Sequence, residues 1–145
     1  VEDPVEYQLQ GTNQIQAADL LQRKVLASPD GLAPLLDAWR AEAALPSAHA
    51  ATLQAWCDRL AQATQALAED AAHDAELPAR AAEDYLRLVG TVALAFAWCR
   101  AARVADPATH ADKHDSARYC FDYVLPHAEH WLRLVQAARH RVAPL

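Results

Sequence analysis

The chain has 145 residues, the size of one ordinary domain. Hydrophobic residues make up 53% and charged residues 22%, a balance that excludes a disordered segment. The net charge of −6 excludes nucleic-acid binding through a broad basic surface. Met is absent and the first residue is Val1, so the chain reads as a processed product or a segment of a longer one. Cys57, Cys99 and Cys120 form no CxxC pair. That argues against a disulfide framework or structural zinc, and for reduced buried thiols in a cytoplasmic protein. No signal peptide opens the chain, and the longest uncharged apolar run, 88–99, is too short to span a bilayer, so no membrane partner is expected.

Alanine is about a quarter of the chain and glycine occurs only 3 times, a composition that favours uninterrupted helices. No alternating strand pattern of useful length occurs. The expected class is all-α: an antiparallel bundle of four to five helices over 14–145, after an irregular segment 1–13. Residues 11–28 read as a loop entering a first helix, with Ile15, Leu20, Leu21 and Val25 as an approximate stripe. A break at Ser28-Pro29-Asp30-Gly31 precedes a second helix over 29–44, with Leu32, Leu35, Leu36 and Trp39 on one face. Ser47 is the expected N-cap of the third helix. That helix, 48–73, places Leu53, Trp56, Leu60, Ala63 and Leu67 at steps of three and four, a bundle seam.

Pro78 suits the first turn of the fourth helix, 79–105. Between Tyr85 and Cys99 only Arg87 and Thr91 are strongly polar. A helix apolar nearly all round is enclosed by others, so this one is expected at the centre. Thr109 can cap the fifth helix, 110–141, whose stripe runs through Ala117, Phe121, Val124, Ala128, Trp131, Val135 and Ala138. Pro126 lies inside that pattern and predicts a kink near Asp122. The expected core comprises Leu53, Trp56, Leu60, Tyr85, Val89, Val92, Phe96, Phe121, Val124 and Trp131.

Few residues suggest chemistry. His110 and His114 share a helix face, and His127 and His130 are three apart, but no third ligand is specified, so no metal site is assigned. Cys99 and Cys120 fall on apolar faces, where thiols resist ionisation, and read as core. Trp39, Trp56, Trp98 and Trp131, one on each of the last four helices, read as core anchors. Neither GxxxxGK[ST] nor GxGxxG occurs.

Residues 10–26, with Gln10-Gly11-Thr12-Asn13-Gln14-Ile15-Gln16 leading into a helix that carries Asp19-Leu20 and Arg23-Lys24, resemble a stretch of acyl-CoA dehydrogenases. Tyr85 to Gly90, Trp98-Cys99-Arg100, Ser116 to Phe121 and Val124-Leu125-Pro126 resemble the helical C-terminal extension of the larger members, the methylmercaptopropionyl-CoA dehydrogenase-like subgroup. The likeness covers most of the chain from Gly11 onward. Val1 to Tyr7 separately resemble a segment of type II secretion and pilus-assembly ATPases, although the chain has no P-loop.

The dehydrogenase resemblance implies FAD and a catalytic Glu in the parent family. The base position falls on Gln10, whose amide cannot take a proton as a carboxylate does, and the preceding Tyr position is Leu9. Thr12 and Gln14 match positions that approach the flavin. No intact catalytic residue and no cofactor are therefore expected for the isolated chain. The implied function is a C-terminal helical domain that supports the parent's fold or subunit packing. Its partners would be the parent's other domains or a second subunit, a homodimer included, with Asp19, Arg23 and Lys24 at the surface or interface. Two alternatives stand beside it: a fragment of an active FAD-dependent enzyme, and a free-standing helical interaction module.

Overall fold

A computed structural model describes residues 14–28 and 30–140. Among them the chain is all-α and forms a helical bundle. Helix α1 spans 14–26 and is followed by α2 (Ala33–Ala43), α3 (Ala50–Ala71), α4 (Leu77–Val104), α5 (Ala111–Tyr119) and α6 (His127–Arg139). Cys120–Val124 is a π-helical turn joining the last two.

Helix α4 is the axis of the bundle and packs against every other helix. Its 28 residues make a rod about 42 Å long. Ala81, Tyr85, Leu88, Val92, Ala95 and Cys99 are fully buried along it. The helix extends beyond the uncharged run 88–99 at both ends, so by length and composition it could cross a membrane. Cross-helix contacts fix the directions. Thr64 meets Tyr85 while Ser47 meets Cys99, so α3 runs antiparallel to α4. Arg80 meets Ala138 while Arg87 lies over Trp131, so α6 is also antiparallel to α4.

The α3 seam is as its spacing predicts: Leu53, Trp56, Leu60, Ala63 and Leu67 are all buried. Trp39 is buried and stacks on Phe96 at a centroid distance of 6.2 Å, tying α2 to α4. Phe96, Phe121 and Trp131 pack on the core but remain partly exposed.

Several local expectations give way. The second helix starts at Ala33, not at 29, because Gly31 has φ +55°, a left-handed conformation that no helix continues through. Pro34 then occupies its first turn. Ser47 does not cap α3: the N-cap position is His49, and the Ser47 hydroxyl sits 3.5 Å from the Cys99 sulfur. Thr109 does not cap α5 either; the N-cap is His110, whose Nδ1 lies 2.8 Å from the Thr109 hydroxyl. In α1 the buried residues are Ala17, Leu21 and Val25, while Ile15 is 73% exposed. The steps of four reflect a widened backbone: Asp19–Leu26 is π-helical, and the Ala27 N–H closes on the Gln22 carbonyl.

The largest revision concerns the fifth predicted helix. Among the described residues Ala111–Tyr119 and His127–Arg139 are joined through the π-helical turn Cys120–Val124, not by an uninterrupted α-helix. The Leu125 N–H donates to the Cys120 carbonyl at 2.7 Å, an i→i+5 bond that holds one more residue than an α turn. Pro126, which lacks an N–H, then becomes the N-cap of α6 instead of clashing inside a continuous helix. The buried stripe is Ala117, Cys120, Leu125, Ala128, Leu132 and Val135, in place of the expected Phe121, Val124 and Trp131.

Candidate functional site

Two clefts and a set of cross-helix ion pairs gather the polar side chains of the bundle. The first cleft, of about 330 Å³, lies between α3 and α6. Its floor is Ala63, Ala66, Leu132 and Val135, and its ends are Arg59 and Arg139. Each arginine is engaged by the opposite helix. Arg59 grips Glu129 with both terminal nitrogens, Nη2 to Oε2 at 2.7 Å, and its guanidinium lies 4.2 Å from the Trp56 ring centroid. This bond holds the Glu129 carboxyl below the usual carboxylate range. Arg139 Nε donates to Asp70 at 2.6 Å. The cleft is the gap between two staples, and it exists because small Ala63 and Ala66 face it.

The second cleft, of about 230 Å³, sits where α3 begins and α4 ends, and includes Ser47, His49, Arg103 and His114. Arg103 donates to both oxygens of Glu42, at 2.6 and 2.9 Å. Glu42 is only 6% exposed, the one charged residue in the described core. His49 stacks on Phe121 with centroids 4.2 Å apart and planes 12° from parallel. Burial lowers its pKa, assisted by Arg118 and His114 and opposed by Asp122. His114 Nε2 lies 2.9 Å from the Ala105 carbonyl, so that nitrogen carries the proton and donates it.

A third polar contact is deeper. Thr64 donates its hydroxyl proton to the Leu60 carbonyl at 2.8 Å, so the fully buried Tyr85 must donate to Thr64 Oγ1 across 2.7 Å. Burial pushes the Tyr85 phenol up to about 12. Burial also raises the thiols of Cys57, Cys99 and Cys120, which lie inside the bundle. These groups are held protonated, far from a nucleophile's needs. Among the described residues every buried side-chain nitrogen and oxygen has a partner, and no three His, Cys, Asp or Glu converge on one point. The polar groups are spent on joining helices.

Gln10 and Thr12, the base and first flavin positions drawn from sequence, lie outside the described residues, as does Leu9. Gln14 opens α1 and is exposed. Asp19 pairs with Arg23 at 2.9 Å and Lys24 at 3.7 Å on the surface of α1. His110 and His114 are not drawn together onto a common ligand, since each has its own partner. Trp39, Trp56 and Trp131 are occupied by Phe96, Arg59 and Arg87, which leaves none of those three rings as a slot wall for a flat cofactor.

Sequence reasoning missed the Glu42–Arg103 pair. Its signal was present: Glu42 follows Trp39 by three and Leu36 by six, on the apolar face of α2. A carboxylate there must be buried, and a buried carboxylate needs a cation.

The family model described as acetyl-CoA dehydrogenase C-terminal like covers residues 23–145. No curated protein and no solved structure matches the chain.

Proposed function

The chain belongs to the acetyl-CoA dehydrogenase C-terminal-like family, and from that premise we propose that it is a packing domain of an acyl-CoA dehydrogenase-like protein, without catalysis of its own. The observation that carries this is the use of its polar groups. Arg59–Glu129, Arg139–Asp70 and Arg103–Glu42 each join two helices, and the thiols and Tyr85 are buried in their neutral forms. Such a molecule supplies a rigid apolar body and a surface. The FAD-binding and acyl-CoA-binding machinery belongs, in this reading, to the remainder of the parent, and the methylmercaptopropionyl-CoA-type subgroup is the class of parent we favour.

The test has two parts. Purified residues 1–145 should show no flavin absorbance and no acyl-CoA-dependent dye reduction. Removing 23–145 from the parent should lower the parent's melting temperature or change its assembled mass. Flavin retained by the isolated chain, or a parent indifferent to the loss, would overturn the proposal.

A further inference from the structure

We draw no further inference here: the strongest candidate, the exposed stripe of α4 through Gly90, Leu94, Ala97 and Val104, carries nothing, because nothing in the structure shows what covers it.

Discussion

Helix α3 and the α5–α6 arm carry equally regular apolar spacing, yet only α3 buries every residue that the spacing selects. In α3 the backbone keeps its 3.6-residue pitch from Ala50 to Ala71, and Leu53, Trp56, Leu60 and Leu67 all turn inward. In the arm Ala117, Ala128 and Val135 are buried as the spacing predicts, but Phe121, Val124 and Trp131 are only half-buried, with Cys120, Leu125 and Leu132 buried beside them. One i→i+5 turn before Pro126 moves burial to Leu125 and Leu132, while Val124 and Trp131 become half-exposed. Periodicity reports side-chain position only while the turn length is constant. A proline in the pattern warns that it is not, but does not say whether the chain will bend or widen.

The sharpest test of that contrast lies at its fixed end. Trp56→Ala should cost about 3–5 kcal/mol in denaturant unfolding, because the indole is buried against Arg59. Next comes the register of the arm. Leu125→Ala should cost about 2–5 kcal/mol and Val124→Ala under about 1 kcal/mol, since one side chain is buried and its neighbour half-exposed. The reverse order would restore the uninterrupted helix and erase the difference between the two regions.

Glu42→Gln should follow, at about 1–3 kcal/mol in the same assay, below the cost of a fully buried pair because Arg103 keeps partial access to water. Gly90→Ala should act in the other direction and stabilise the isolated chain by about 0.5–1 kcal/mol, as its surroundings are open.

The smallest effect is a pH dependence. His49 has a lowered pKa in the fold, so the unfolded chain binds its proton first as pH falls. Its stabilising contribution is present above the ordinary histidine range, about 6.5, and is lost as pH drops through the folded value. His49→Phe should flatten the decline in melting temperature over that window; an unchanged slope would place the dependence elsewhere.

The candidate site was less legible than the fold. The buried thiols were readable, because Cys99 and Cys120 lie on apolar faces, and so was the central position of α4. The staples were not. Arg59 and Glu129 are 70 residues apart, and Asp70 and Arg139 69 apart. In the sequence each is an ordinary surface charge on its own helix, and only the parallel course of α3 and α6 brings the members of each pair together.

By itself the sequence determined the class, the central helix and the α3 seam. Those follow from local quantities: helix propensity, apolar spacing and the places where proline interrupts them. The tertiary structure decided which face of α5–α6 turns inward, which charges become cross-helix ties, and that Leu94 and Val104 of α4 are exposed. These depend on turn pitch and on the relative placement of distant segments. Neither is encoded in the spacing of neighbours along a single helix.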